Sequence, residues 1–305
     1  MRYLHRQARK RKDPGALHPE ARCAIMLLDA AMIQEADARY INKVIVRDGA
    51  EMEPVEPLYR VADAQRVLEQ IVCVPYHRAH VIAPGVTLTF FDAGHVLGSA
   101  ITVLDVADGG DRKRLAYTGD LGRRSVRLLR PAETPPKVDV LLLESTYGDR
   151  QHAPTEELEG ELERVLKRTF DRGGKVLIPS FALERAQEIL YALGRLRRRH
   201  RMPPVPVYLD SPMSVKITDV FKLHPECLLP DLSHTELGHE PPFDFDGLHY
   251  VTDSEESKAI DAAPDASVII AASGMCEGGR VVHHLKAMVE DDQNTILIVG
   301  FQAQQ

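Results

Sequence analysis

The sequence predicts an α/β protein whose second half holds a mostly parallel sheet flanked by helices. Two patterns carry that prediction. After Gly148, strand-length apolar runs alternate with helix-length amphipathic runs, the order expected of β-α-β units. Before Gly148, three strand-like runs each end in a polar or glycine-rich turn bearing a histidine or a carboxylate: His95, Asp120 and Glu144. Groups at successive strand ends can converge on one edge of a folded sheet.

The elements follow in chain order. Ala21 to Asn42 reads as a helix with Ile25, Leu28, Met32 and Ile33 on one face. A polar, proline-containing link (Asp48 to Pro57) leads to a short helix near Ala62 to Gln70. Val86 to Phe91 alternates as a half-buried strand, Arg114 to Thr118 is a second, and Val138 to Leu143 reads as a buried strand. Between the last two, Leu128 to Lys137 holds three prolines and reads as a surface loop. Glu156 to Asp171 is an amphipathic helix stopped by Gly173-Gly174. The strand Lys175 to Pro179 precedes the helix Leu183 to Arg199, and the strand Pro206 to Leu209 precedes the helix Val215 to Leu223. His224 to Gly247 reads as loop. Ser267 to Ala272 is a buried strand, Gly279 to Val289 a helix and Asn294 to Phe301 a final strand. In such sheets ligands sit outside the carboxyl ends of the strands.

Composition sets outer bounds. The 305 residues are enough for about two domains with separate cores. No apolar run approaches the ~18 residues that span a bilayer, and the basic N-terminus lacks the apolar core of a secretory signal. Cys23, Cys73, Cys227 and Cys276 are scattered, which fits a reducing, cytoplasmic setting and no membrane partner. A net charge of −7 argues against binding nucleic acid through bulk charge, although local basic clusters remain: Arg2 to Lys12; Arg123, Arg124, Arg127 and Arg130; and Arg195 to Arg201. The last reads most simply as cations at a helix C-terminus.

The side chains then suggest chemistry. Gly94 and Gly98 flank His95 and permit a tight turn that aims the imidazole, a zinc ligand when neutral. Asp120 is either a turn aspartate or a carboxylate ligand. Glu144 is either a turn partner for Ser145 and Thr146 or a catalytic carboxylate, and at the end of an apolar strand its pKa is expected to rise. Ser273, Gly274, Gly278, Gly279 and Arg280 surround a helix start, where backbone N–H groups attract phosphate. His283 and His284 face different directions and read as helix surface. Ser180 and Ser211, at strand ends, are expected to line the cleft.

The segments DAGHVLGS, YTGDLG and LLLESTYGDR occur in this order, with PSFALERAQEIL, YLDSPMSVKITDVF, IIAASGMCEGGRVVHHLK and NTILIVGFQAQ after them. Together they resemble the β-CASP branch of the metallo-β-lactamase superfamily from about Arg22 to Gln305. Those proteins are zinc-dependent RNA nucleases, similar to the endonuclease subunit of the cleavage and polyadenylation machinery. The resemblance implies a partial metallo-β-lactamase αββα sandwich over residues 1–148 and a β-CASP domain over 149–305. It implies that His95 binds zinc and that Asp120 bridges two zinc ions. It gives Glu144 a catalytic role, and Ser273, Gly274, Gly278, Gly279 and Arg280 contact with the RNA backbone. The implied reaction is phosphodiester hydrolysis by a zinc-bound hydroxide.

Parts of the family pattern have no counterpart here. No His-x-His-x-Asp-His segment precedes His95, His77-Arg-Ala-His80 being the nearest pairing, and the downstream Ser-Ala-His and Val-His-Gly segments are missing. The sequence therefore reads as truncated at both ends, with low zinc occupancy and little activity of its own expected. A non-catalytic RNA-binding or scaffold subunit, or an inactive fragment, is the alternative. Exposed apolar surface and self-association, including a homo-oligomer, are expected with it.

Overall fold

The computed structural model describes residues 19–49, 51–123, 128–149, 155–229, 232 and 242–300. Helix α1 (Pro19–Asp48) runs beyond the Asn42 end expected from periodicity and packs against α2 (Val61–Leu68). Ala31 and Ala38 form its buried contact points, while Tyr40 and Val46 are exposed.

The first sheet follows, in the order β1 (His80–Ala83), β2 (Val86–Asp92), β3 (Ala100–Asp108), β4 (Asp111–Tyr117) and β5 (Val140–Leu142). Its first four strands are antiparallel, and β5 runs parallel to β4. Strand β3 was not anticipated, although its Ala100, Thr102 and Leu104 alternate with the buried Ile101 and Val103. It is the central strand that carries β2 and β4 on either side. The run 138–143 was expected to be buried, and this is corrected. Val140, Leu141, Leu142 and Leu143 are about half exposed because β5 has a strand neighbour on one side only. The loop 128–137 is corrected in the opposite sense at its start. Leu128 and Leu129 are buried, and Leu129 bridges Leu228 of the second half.

Helix α3 (Thr155–Phe170) opens the second half. Its sheet is wholly parallel, in the order β10 (Thr295–Ile296), β6 (Val176–Pro179), β9 (Val268–Ala271), β7 (Val207–Asp210) and β8 (Leu248–Val251). Helices α4 (Arg185–Arg198), α5 (Pro212–Leu223), α6 (Ser254–Ala262) and α7 (Val281–Met288) supply the crossovers and cover. Strand β8 and helix α6 were not anticipated. The helix α6 start is capped by Asp253, which accepts N–H bonds from Glu255 and Glu256. Val176, Leu177, Val268 and Ile269 are fully buried, each contributing about 1.5–3 kcal/mol relative to an exposed side chain. The core is continuous with the first half, since Leu97, Leu128 and Leu129 pack in the same cluster as Leu190, Phe221 and Leu228.

This topology places the carboxyl ends of β6, β9 and β7 on one edge, leading into Ser180, Ser273 and Ser211 respectively.

Candidate active site

His95 stands in the turn that connects β2 to β3. Asp92 accepts the Gly94 N–H at 2.8 Å, and the Ser99 hydroxyl accepts those of His95 at 3.0 Å and Val96 at 3.2 Å. These bonds fix the backbone, so the imidazole projects outward. Burial raises the Asp92 pKa, opposed by the Gly94 N–H bond.

Glycine is a requirement at two points of this arrangement. Gly94 has φ +60°, and a Cβ there would lie 2.4 Å from the Ala132 nitrogen. A Cβ on Gly122 would lie 1.7 Å from the Gly94 carbonyl oxygen. The Gly122 N–H donates to the Ala93 carbonyl at 2.8 Å, so the Asp120 turn is joined backbone to backbone with the His95 turn.

The three strand ends therefore meet. His95 Nε2 lies 3.8 Å from Asp120 Oδ2, longer than a hydrogen bond, so neither group is engaged by the other. Both side chains are open to solvent. Glu144 accepts N–H bonds from Thr146 at 2.8 Å and Leu121 at 3.3 Å, the second reaching back into the Asp120 turn. Its own N–H donates to the Thr118 hydroxyl at 3.2 Å.

The expected upward shift of Glu144 is corrected. The Thr146 backbone bond is the largest influence and lowers the pKa below the usual carboxylate value, with the Leu121 bond and the neighbouring His95 acting in the same direction against burial. An exposed edge strand offers little desolvation, and two backbone N–H groups favour the anion. Glu144 is thus a carboxylate at neutral pH, suited to accept a proton or to orient a neighbour.

His95 and Asp120 match zinc in donor chemistry, one imidazole nitrogen and one carboxylate, whereas a catalytic zinc takes three protein ligands. Among the described residues no group of three or more His, Cys, Asp or Glu is assembled as a metal site. His77 does not extend the pair, since its Nε2 is 2.8 Å from Glu133 Oε2. Glu133 also accepts the Asp92 N–H at 2.9 Å, bracing the strand that carries His95. A single acid in a proline-rich loop offers no periodicity from which this role could be read.

The second sheet's carboxyl edge carries the other candidates. Gly274 packs against Phe181, next to the end of β6. Ser273 N–H donates to the Gly278 carbonyl, closing the loop on itself, and Val281 N–H returns to Ala272. The Arg280 guanidinium was read as open to an anion, and this is corrected. It binds Asp210 and the carbonyls of Val251 and Thr252. His284 was read as helix surface, and only His283 is exposed. His284 is fully buried, 2.7 Å from Asp210 through Nε2 and 2.6 Å from Asp261 through Nδ1. Burial opposes its charge, but the two carboxylates outweigh that and raise its pKa. The same bonds, with those of Ser257 and Arg280, hold Asp210 below the usual carboxylate range despite burial. A carboxylate ending the apolar strand 207–210 was the available signal for this network. Ser180 and Ser211 do not line a cleft. Both are buried, and Ser211 caps α5 by accepting the Ser214 N–H.

Arg123 is partly exposed three residues after Asp120. Arg124, Arg127 and the basic stretch Arg2 to Lys12 lie outside the described residues.

Comparison with known proteins places the chain among relatives. Residues 186–305 match the Beta-Casp domain. The chain is 39% identical over 249 residues to "Ribonuclease TTHA0252" of Thermus thermophilus, covering 82% of this chain and 56% of that protein. It is 35% identical over 286 residues to "Transcription termination factor FttA" of Thermococcus kodakarensis, covering 91% of this chain and 43% of that one. An "RNase J-like protein" of Methanocaldococcus jannaschii is 33% identical over 249 residues, 81% of this chain and 56% of its own length. The chain thus spans about half the length of the curated relatives it matches. No helix among the described residues is long and apolar enough to cross a membrane.

Proposed function

This chain belongs to the β-CASP branch of the metallo-β-lactamase superfamily, and from that premise we propose that it works in the hydrolytic cleavage of RNA phosphodiesters. The meeting of His95, Asp120 and Glu144 at one edge of the first sheet carries this reading. In it, residues 1–148 supply the chemical groups and residues 149–305 the RNA-facing domain.

His95 and Asp120 would hold zinc through one imidazole nitrogen and one carboxylate. When bound, zinc supplies Lewis acidity toward a phosphoryl oxygen and lowers the pKa of water. Glu144, anionic and fixed by the Thr146 and Leu121 amides, is the proton acceptor of this set. The loop bearing Ser273, Gly274, Gly278 and Gly279 faces the RNA backbone. Arg280, tied to Asp210, holds that loop in place. Arg123, three residues after Asp120, would add a cation to this region.

The names of the relatives, a ribonuclease and an RNase J-like protein, support RNA as the substrate class. A second reading, an RNA-binding subunit without catalysis, is favoured by the count of two converging metal donors among the described residues. One experiment separates them: labelled single-stranded RNA is incubated with the zinc-loaded chain, and both binding and cleavage are followed. Chelator-sensitive cleavage that disappears in Asp120→Asn supports the nuclease. Binding without cleavage supports the subunit reading, and absence of both removes RNA as the partner.

A further inference from the structure

A cavity of about 1080 Å3 opens at the amino edge of the parallel sheet, opposite the edge that carries Ser180, Ser211 and Ser273. The last turns of α3 and α4 form two of its walls, and the segments entering β7 and β8 form the rest. Lys167, Arg197, Arg198 and Arg201 line it, against the carboxylates of Asp171 and Asp246. In a chain of net charge −7 this is a local excess of cations.

Several neighbouring arginines are already engaged. Arg201 pairs with Glu163, while Arg195 and Arg199 approach Glu159 at 3.5 and 3.9 Å. Arg197 donates to the carbonyls of Pro203 and Val205. Lys167, Arg198 and His200 form no ion pair among the described residues. Arg198 folds back over Gly194, and its Nη1, like Arg197 Nε, is buried without an acceptor. Cations at helix C-termini complement the helix dipole, which explains why they gather here. The dipole gives no reason for buried N–H donors to lack acceptors, a state that costs about 1–3 kcal/mol per group or more when charged.

We propose that this cavity is a second binding surface, which takes the ribose-phosphate backbone of single-stranded RNA. The inference rests on the reading of the chain as an RNA-handling protein. Lys167 and Arg198, which line the cavity without an ion-pair partner among the described residues, supply cations for phosphate oxygens. Asp171 and Asp246 can accept from ribose 2′-hydroxyls, the groups that distinguish RNA from DNA. Phe170, Met202 and Pro203 give an apolar wall for a base.

The test is fluorescence anisotropy with a fluorescein-labelled oligouridine, in chelator so that binding is read without cleavage. Lys167→Gln/Arg198→Gln is expected to bind at least ~10-fold more weakly, and the slope of log affinity against log salt should fall by about 1.4, about 0.7 for each of two phosphate contacts. A folded double variant with unchanged affinity and slope overturns the proposal. So does displacement of the probe by polyglutamate as readily as by unlabelled oligouridine, which assigns the surface to an acidic protein. Should the double variant not fold, Lys167→Gln alone, at an exposed position, must lower the slope by about 0.7. A separate cleavage assay with the zinc-loaded chain, with Asp120→Asn as its inactive control, separates the two readings. Cleavage that persists with insensitive binding removes the groove alone, and sensitive binding without any cleavage removes the nuclease alone.

Discussion

Two buried ionisable residues make stability fall as pH rises, for different physical reasons. Glu184 precedes α4 with φ +68°, a conformation that costs a bulky residue of order 1–3 kcal/mol, and its carboxylate is buried. Burial, then Glu188, raises its pKa well above the usual value. An acid with a raised folded pKa loses stability as pH climbs from its unfolded value through its folded one. Glu184→Gln should therefore raise Tm by a few degrees at neutral pH and flatten its decline toward alkali, read from melts over a pH series. His284 acts in the same sense from a higher starting pH, but through partners that favour its charge and not through burial that disfavours it. Its charge is opposed by burial but favoured more by Asp210 and Asp261, so its folded pKa is raised. Its contribution is complete below the unfolded value of about 6.5 and is lost as pH rises through the folded value. His284→Ala leaves Asp210 buried with one fewer partner, and a loss of about 3–5 kcal/mol is expected in denaturant titrations.

At the scale of elements, the site depends on turns more than on strands. The His95 and Asp120 turns touch through the Gly94 and Gly122 backbones, so any side chain at residue 122 must separate them. Gly122→Ala should cost about 1–3 kcal/mol and weaken zinc binding more than it weakens the fold, as measured by metal titration beside a melt. An equal effect on both would mean that the contact serves stability alone. Much of this was visible beforehand, because Gly94, Gly119 and Gly122 bracket the reactive residues in sequence. The Glu133 brace was not, since its partners lie 41 and 56 residues away. Strand β3 was also missed, although the buried Ile101 and Val103 alternate with partly exposed neighbours along it.

For the whole molecule, the first sheet ends in an apolar edge. Leu141 is 52% and Leu143 60% exposed, next to Tyr117 at 54%. Unpaired edges of this kind favour association. Leu141→Lys/Leu143→Lys should shift the chain toward monomer in sedimentation without lowering its melting temperature. A monomer already in the unsubstituted chain would show that this edge is inert. The second sheet contrasts with it, being parallel and covered by helices, with Leu177, Val207 and Ile269 at 0% exposure.

The sequence by itself determined the α/β class, the alternation of strands and helices after Gly148, and the three strand ends that carry His95, Asp120 and Glu144. These are local properties, written in periodicity and in the glycines that punctuate it. Tertiary structure alone decided which groups came together: His95 near Asp120, Asp210 with His284 and Arg280, and Glu144 with backbone N–H groups that keep it ionised. It also decided that β5 is an edge and that Leu128 is core. Strand order and charge pairing join residues tens of positions apart, and no local periodicity records which of the available partners a residue will meet.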